Sequence, residues 1–279
     1  MQKRVAAIHD ISCFGKCSLT VALPVLSAAG IETPIIPTAV LSTHTGGFSG
    51  YTFRDLTDDI LPVAEHWQKS DIAVDAVYTG YLGSKEQVGI VMQAVDKIRK
   101  PGGFLLVDPA MADHGKLYGG FPADFPLEMK KLCEMADIIT PNITEAAMML
   151  GLPYCEGPYT KEYINELMDG LTEMTSADIV LTGVYYDDKT LGAVCQKDGV
   201  RTFVASERIN AFYHGTGDLF ASSLMGALMN GKTLIESVEI AVDFTCVCIR
   251  RTFDMHPEMT YAVAFEDEIP YYLKKLGRC

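Results

Sequence analysis

The chain has 279 residues, 48% of them hydrophobic and 21% charged, a composition typical of globular proteins and sufficient for one large α/β domain or two small ones. Its formal net charge of −13 argues against a nucleic-acid partner, and no apolar run approaches the roughly 20 residues that span a bilayer. The first apolar run, residues 5–8, is too short for a signal peptide, so we expect a cytoplasmic protein with neither nucleic acid nor membrane as a partner.

Segments of two kinds alternate along the chain. Apolar segments typical of buried strands occupy residues 5–8, 35–40, 76–79, 104–107, 137–140 and 179–182. Segments with helical periodicity occupy residues 19–29, 54–69, 86–99, 127–135, 144–150 and 161–174. A hairpin of residues 192–196 and 202–205 follows, and further helices are predicted at 217–229, 234–252 and 266–276. This order predicts one α/β domain over residues 1–279, in which a mostly parallel central sheet and helices on both of its faces form three layers.

The polar stretches between these segments fall where the predicted strands end. They cover residues 10–17, 42–50, 80–84, 108–113, 142–145 and 183–188. Ligands of open α/β sheets bind beyond the carboxyl ends of the strands. We therefore expect these loops, which are far apart in the sequence, to converge on one crevice.

The segment His214-Gly215-Thr216-Gly217-Asp218 carries the clearest chemical signal. Its two glycines allow backbone conformations in which successive N–H groups point outward, and the helix that begins here adds partial positive charge. Together they predict a cradle for an anion. The Asp218 carboxylate would be redundant for binding phosphate alone, but it suits a base that takes a proton from an attacking hydroxyl. The segment therefore suggests phosphoryl transfer.

Two other stretches with acidic side chains follow predicted strands. Asp108 and Asp113 lie in one of them, where exposed loop acids are an equally good explanation. Asn142 and Glu145 lie in the other, and an N-cap asparagine followed three residues later by glutamate is a capping box that needs no ligand. If Asp113 and Glu145 face the same crevice, they could instead hold Mg²⁺ through its waters, as this strongly hydrated ion prefers.

The sequence supports neither of two common nucleotide-binding motifs. Residues 226–233 match the P-loop pattern, but that pattern requires a strand before it, whereas the predicted helix 217–229 already runs through its first residues. Asn230 and Gly231 are better explained as the end of that helix. The first strand is followed by no G-x-G-x-x-G, which argues against a dinucleotide-dependent oxidoreductase.

Five segments together resemble the motifs of a known enzyme family. They are Ser42-Thr43-His44-Thr45, Gly80-Tyr81-Leu82-Gly83-Ser84, Asp108-Pro109-Ala110-Met111, Ile138-Ile139-Thr140-Pro141-Asn142 and Gly215-Thr216-Gly217-Asp218-Leu219-Phe220-Ala221. In this order they resemble pyridoxal (vitamin B6) kinases, which belong to the ribokinase-like superfamily of ATP-dependent small-molecule kinases. The resemblance spans residues 5–252. It implies phosphorylation of the 5′-hydroxymethyl group of pyridoxal, pyridoxine or pyridoxamine in the salvage of pyridoxal 5′-phosphate.

The resemblance implies a role for each matching position. Asp218 would be the base that activates the substrate hydroxyl, and Gly215, Thr216 and Gly217 would line the anion hole for the transferred phosphoryl group. ATP and its metal would be bound by Asp108, Asp113, Thr140, Asn142, Glu145 and Thr182, with Mg²⁺ held by Asp113 and Glu145 partly through water. The ring pocket would contain Asp10, Cys17, Leu41, Thr45, Tyr81 and His214. The family also commonly uses K⁺ and commonly forms homodimers.

Departures from the family pattern concern the substrate. Asp10 stands where the family usually has serine, Thr43 where it has asparagine, and His214 where it has a small apolar residue. Asp10 could pair with the ammonium group of pyridoxamine or with a protonated ring nitrogen, or it could simply cap the loop of residues 11–15. A hydroxymethylpyrimidine kinase of thiamine synthesis and a non-catalytic B6-binding protein therefore stay open as alternatives. The glycine-containing loop of residues 113–124 is either a flap over ATP or a surface connection.

Overall fold

A central sheet with helices on both faces forms the fold, in a computed structural model that describes residues 2–256 and 258–278. The strands of this part of the chain are β1 (Val5–Ser12), β2 (Ile35–Leu41), β3 (Phe53–Asp55), β4 (Val74–Thr79), β5 (Arg99–Val107), β6 (Ala112–Asp113), β7 (Lys116–Leu117), β8 (Ile138–Ile139), β9 (Asp178–Val184), β10 (Thr190–Lys197) and β11 (Val200–Glu207). The helices are α1 (Leu19–Ala28), α2 (Thr57–Lys69), α3 (Lys85–Ile98), α4 (Phe125–Glu134), α5 (Ile143–Leu150), α6 (Lys161–Met174), α7 (Thr216–Met229), α8 (Leu234–Met255) and α9 (Ile269–Leu276). β6 and β7 pair with each other, and the other strands form the central sheet.

The strand order of the sheet is β11-β10-β9-β8-β5-β4-β1-β2-β3. Strands β2, β1, β4, β5, β8 and β9 run parallel, while β3, β10 and β11 pair antiparallel with their neighbours at the two edges. The chain therefore moves outward from β1 in one direction to β2 and in the other direction to β4. The carboxyl ends of β1 and β4 flank this switch in direction, which is where open α/β sheets bind their ligands.

Each face of the sheet has its own apolar core. Alternate strand residues point to opposite faces, so that Ala6 and Ile8 of β1 join a core with helices α2 to α6, while Val5 joins a second core with α1, α7, α8 and α9. The expected three-layer, mostly parallel α/β architecture is confirmed. Within the described residues, no helix combines the length and the apolar character needed to cross a bilayer.

Several predicted boundaries were wrong. The helix expected at 54–69 begins only at Thr57, because Arg54 and Asp55 pair with β2 as strand β3 and the Asp55 carboxylate accepts the Thr57 N–H at 2.7 Å. The short strands β3, β6 and β7 were not predicted, since segments of two or three residues carry no periodic signal.

The P-loop-like stretch proves to be a helix–helix connection. Helix α7 ends at Met229, the Asn230 side-chain amide donates to the Gly226 carbonyl at 2.7 Å, and Thr233 caps α8 with a capping box. The interpretation of Asn230 and Gly231 as the end of a helix is confirmed, and the strand that a P-loop requires does not precede this stretch.

Candidate active site

The glycine loop and the start of α7 form the floor of the candidate site. Gly215 caps the helix with a φ of 80°, a left-handed conformation that favours glycine. A Cβ built on it would lie 2.3 Å from the carbonyl oxygen of Lys16, so the loop after β1 packs directly against this glycine. A Cβ on Gly217 would have no neighbour within 4 Å, so its surroundings are open. The Thr216 hydroxyl donates to the Tyr213 carbonyl at 3.3 Å.

Asp218 lies in the first turn of α7. Burial is the main cause that raises the pKa of this carboxyl to about 7, and the nearby charge of Asp10 acts in the same direction. The backbone N–H of Ser18 partly offsets both by hydrogen bonding to the carboxylate. A pKa near ambient pH suits a general base that works at neutral pH.

The end of β1 and the loop that follows it bring Asp10 and Cys17 to the same place. Asp10 is only 3% exposed, and the Ser12 hydroxyl donates to its carboxylate at 2.9 Å. Burial raises the pKa of the Asp10 carboxyl, and burial together with the charges of Asp218 and Asp10 raises that of the Cys17 thiol. Lys16 and Ser18 have φ values of 53° and 55°, and such strained residues cluster at functional sites.

The predicted nucleotide side of the site comprises the loops after β5 and β8. Asp108 follows β5 and is 8% exposed; burial and the neighbouring Asp218 charge raise the pKa of its carboxyl. Thr140 and Asn142 follow β8, and Thr182 lies in β9, where its N–H and its hydroxyl donate to the Pro141 carbonyl at 2.9 and 3.3 Å.

Glu145 joins two of these loops. Its carboxylate accepts the Asn142 N–H at 2.9 Å in a complete capping box, so that interpretation is confirmed. The other oxygen accepts the Met111 N–H at 3.0 Å, and the Asn142 side-chain amide donates to the Ala112 carbonyl at 2.8 Å. Glu145 therefore also holds the segment that leads to Asp113, a tertiary role that the capping pattern did not reveal.

The site concentrates negative charge. Asp10, Asp108, Glu145 and Asp218 carry raised pKa values, and burial is the main cause for each carboxyl. Among residues 2–256 and 258–278, none of the four forms an ion pair with lysine, arginine or histidine. No three acidic, histidine or cysteine side chains of the described residues are already arranged to hold a metal ion. Carboxyl groups that repel one another and lack a cation fit a hydrated Mg²⁺ ion that arrives with its nucleotide.

Aromatic and histidine rings surround the predicted ring pocket. Tyr81 follows β4, and burial followed by the Asp10 charge raises the pKa of its phenol. The ring centroid of His214 lies 5.2 Å from that of His44, and His44 is the residue before Thr45 in the sequence. Leu41 ends β2 beside Ser12 and is 1% exposed, so it offers little accessible surface to a ligand.

Two residues of the 113–124 loop were missed by the sequence analysis. The pKa of the Tyr118 phenol is raised well above its usual range, first by burial and then by the charges of Glu145, Asp113, Asp108 and Asp218. Phe121 lies 5.4 Å from Tyr81, measured between ring centroids. The loop thus lies beside both the predicted nucleotide side and the predicted ring side, and the aromatic residues next to Gly119 and Gly120 were the signal that could have indicated this.

A groove of about 570 Å³ lies away from these residues, between β11 and α8. Its lining includes Lys232, Glu239, Asp243 and Lys275. The groove lies beside β11, an edge strand of the sheet, and not at the carboxyl ends of the parallel strands. We therefore do not place the chemistry there.

Known proteins resemble this chain in sequence and in fold. The phosphomethylpyrimidine kinase family matches residues 23–262. The pyridoxal kinase of Haemophilus influenzae is 25% identical over 276 residues, which cover 95% of each protein. A Bacteroides thetaiotaomicron protein assigned to the phosphomethylpyrimidine kinases and crystallised with pyridoxal is 34% identical, with a TM-score of 0.90 over 98% of this chain and 96% of that one. The pyridoxal kinase of Lactobacillus plantarum is 29% identical, with a TM-score of 0.90 over 98% of both chains.

Proposed function

The chain belongs to the phosphomethylpyrimidine kinase family and is a phosphotransferase of the ribokinase-like superfamily, and from this premise we propose that it phosphorylates the 5′-hydroxymethyl group of a B6 vitamer with ATP. The similarity to two pyridoxal kinases, and to a protein crystallised with pyridoxal, supports this choice of substrate. The observation that carries the chemistry is the Asp218 carboxyl, which stands at a glycine loop with a pKa of about 7.

In the proposed reaction, Asp218 accepts the proton of the substrate hydroxymethyl group. The oxygen that loses this proton attacks the γ-phosphorus of ATP, the bond from that phosphorus to the β,γ-bridging oxygen breaks, and ADP leaves. Backbone N–H groups of the 215–217 loop donate to the oxygens of the transferred group. These donors are fixed by the turn before the reaction begins, which is the condition for electrostatic stabilisation of a transition state.

We assign the nucleotide to the loops after β5 and β8 and to β9, with contacts to Asp108, Thr140, Asn142 and Thr182. Asp113 and Glu145 would hold Mg²⁺, partly through water, since Glu145 already gives oxygen lone pairs to two backbone N–H groups. When bound, Mg²⁺ neutralises negative charge on the phosphate oxygens. A dependence on K⁺ and a homodimeric state remain parts of the proposal that rest on the family resemblance.

The ring of the vitamer would lie between the loop after β1 and Tyr81. Asp10 is buried in this region and has no cationic partner in the part of the chain that the structure describes, and removing a carboxylate from water is costly unless a cation compensates. Asp10 therefore favours a substrate that brings a positive charge, either the ammonium group of pyridoxamine or a protonated ring nitrogen. Cys17, Thr45 and His214 would complete the pocket.

A second candidate is the phosphorylation of hydroxymethylpyrimidine, favoured by the description of the family that matches residues 23–262. Both acceptors present a hydroxymethyl group on an aromatic ring, so the catalytic groups would be the same. ADP release with Mg²⁺, K⁺ and ATP, measured against pyridoxal, pyridoxine, pyridoxamine and hydroxymethylpyrimidine, separates the two candidates. Turnover of the pyrimidine alone would overturn the B6 assignment.

The substitution Asp218→Asn tests the catalytic role and the non-catalytic alternative. We expect nucleotide binding to persist and turnover to fall at least ~100-fold, the usual effect of losing a general base. Asp198→Asn makes the same chemical change in the exposed turn between β10 and β11 and serves as the matched control. Turnover within a few-fold of the wild type in Asp218→Asn would refute the assignment of the base.

A further inference from the structure

Three buried polar side chains lie behind the candidate base and have no use in the proposed reaction. His9 of β1, Tyr78 of β4 and Ser222 of α7 are each 0% exposed. Neither ring nitrogen of His9, nor the hydroxyl of Tyr78 or Ser222, has a hydrogen-bond partner of ordinary geometry among the described residues. Buried polar groups are nearly always hydrogen-bonded, so three unpartnered side chains in one place require an explanation.

The three side chains are neighbours on the face of the sheet that α7 covers. His9 and Tyr78 lie on adjacent strands with ring centroids 4.3 Å apart. The Ser222 hydroxyl lies beside the Tyr78 phenol, where it lowers the pKa of that phenol, whereas burial and the charges of Asp108 and Asp218 raise it. Ser222 follows Asp218 by four residues in α7, which places both on the same side of the helix, one turn apart.

The hydrogen-bonding capacity of these groups gives the series a single direction. Burial lowers the pKa of His9 to about 3, against a weaker opposing effect of the Tyr78 backbone, so its imidazole is neutral and has one N–H to donate. Each hydroxyl can accept one hydrogen bond and donate another, and an ionised carboxylate only accepts. A chain from the His9 N–H through Tyr78 and Ser222 therefore ends naturally on Asp218.

We propose that His9, Tyr78 and Ser222 are positioning residues, which form a hydrogen-bonded chain that stabilises the ionised form of Asp218. Water molecules complete the steps that exceed direct hydrogen-bond reach, as they commonly do for buried polar groups. The inference rests on the proposed role of Asp218 as the base. Its consequence is that the chain keeps the carboxylate able to accept a proton at neutral pH, in a site where burial and like charges favour the neutral acid.

Other groups also face Asp218 and contribute to its titration. Asp10 of β1 and Asp108 after β5 repel its charge, and the backbone N–H of Ser18 stabilises it. The thiol of Cys17 and the phenol of Tyr118 both have their pKa values raised by the Asp218 charge. All five groups are unchanged in the variants below, so a shift of the Asp218 pKa between variants reports on the hydrogen-bonded chain of His9, Tyr78 and Ser222.

The test is the pH dependence of kcat/KM in Tyr78→Phe and in Ser222→Ala. Each change removes one hydroxyl. We expect the ascending limb of the kcat/KM profile, where Asp218 loses its proton, to move to higher pH by about 1 unit, which corresponds to about 1.4 kcal/mol less stabilisation of the carboxylate. Ser222→Thr keeps the hydroxyl and is expected to keep the limb close to its wild-type position. Ser223→Ala is the matched control, because this neighbouring hydroxyl is also buried but donates to the Leu219 and Phe220 carbonyls of its own helix.

A second measurement does not depend on turnover. The pKa of Asp218 can be read from the carboxyl ¹³C resonance of aspartate-labelled protein, assigned with Asp218→Asn, in the same variants. If the enzyme phosphorylates none of the acceptors, the proposed function fails while this titration still decides the inference. If Tyr78→Phe and Ser222→Ala lose thermal stability but keep the wild-type Asp218 titration, the proposed hydrogen-bonded chain is refuted. Tyr78 and Ser222 would then have only a structural role.

Discussion

The two glycines of the anion hole allow a paired test, because their surroundings differ. In Gly217→Ala the added methyl group meets no atom within 4 Å, and φ at this position lies outside the left-handed region. Alanine is a better helix former than glycine, so we expect the free energy of unfolding to stay constant or to rise by up to about 1 kcal/mol. The methyl group would nevertheless stand beside the N–H groups that bind the phosphoryl group in the proposed reaction.

Gly215→Ala provides the contrast. Its φ of 80° costs an L-residue about 1–2 kcal/mol, and a Cβ 2.3 Å from the Lys16 carbonyl oxygen adds about 1–3 kcal/mol of overpacking. The sum is a loss of about 2–5 kcal/mol in the free energy of unfolding. At about 2 °C per kcal/mol for a chain of this size, the Tm should fall by about 4–10 °C.

Thermal unfolding and steady-state kinetics on both variants separate stability from catalysis. We expect both variants to lose about 100-fold in kcat/KM, comparable to the loss of one oxyanion-hole donor, while only Gly215→Ala loses stability. A Gly217→Ala enzyme with wild-type kcat/KM would show that the transferred phosphoryl group does not occupy the loop. A destabilised Gly217→Ala protein would refute the description of its surroundings as open.

Three further predictions concern pH, substrate choice and the 113–124 loop. The Asp218 carboxyl has a pKa of about 7 in the folded protein and a lower one when unfolded, so its contribution to the free energy of unfolding falls as pH rises from about 4 to about 7. The free energy of unfolding, measured in urea, should therefore fall less between pH 5 and pH 7 in Asp218→Asn than in the wild type. If Asp10 pairs with the ammonium group of pyridoxamine, Asp10→Ser should reduce kcat/KM for pyridoxamine relative to pyridoxine by about tenfold, and an unchanged ratio in the vitamer assay would contradict that pairing. Phe121→Ala should raise KM for the vitamer and increase ATP hydrolysis without an acceptor. The reason is that the loop loses its ring contacts with Tyr81 and Phe125, whose centroids lie 5.4 and 4.0 Å from that of Phe121. Unchanged hydrolysis would identify the loop as a surface connection.

The sequence was sufficient to predict the architecture and the conformation of the glycine loop. Strand-like and helical segments alternate with periods that are local properties of the chain, and local periods can be read without knowing the fold. The glycine loop was also recognisable from sequence, because its backbone conformation requires particular residues at adjacent positions. The same is true of the capping box at Asn142 and Glu145, whose spacing alone predicted the hydrogen bonds that the structure contains.

The tertiary structure decided what these residues touch. Glu145 reaches the Met111 N–H only because β5 and β8 are neighbours in the sheet, and Tyr118 faces four carboxylates only because its loop folds back over the strand ends. His9, Tyr78 and Ser222 come together through the pairing of β1 with β4 and the packing of α7 on the sheet. Strand order and register depend on the summed packing of the whole chain, so contacts between residues so distant in sequence leave no local pattern to read.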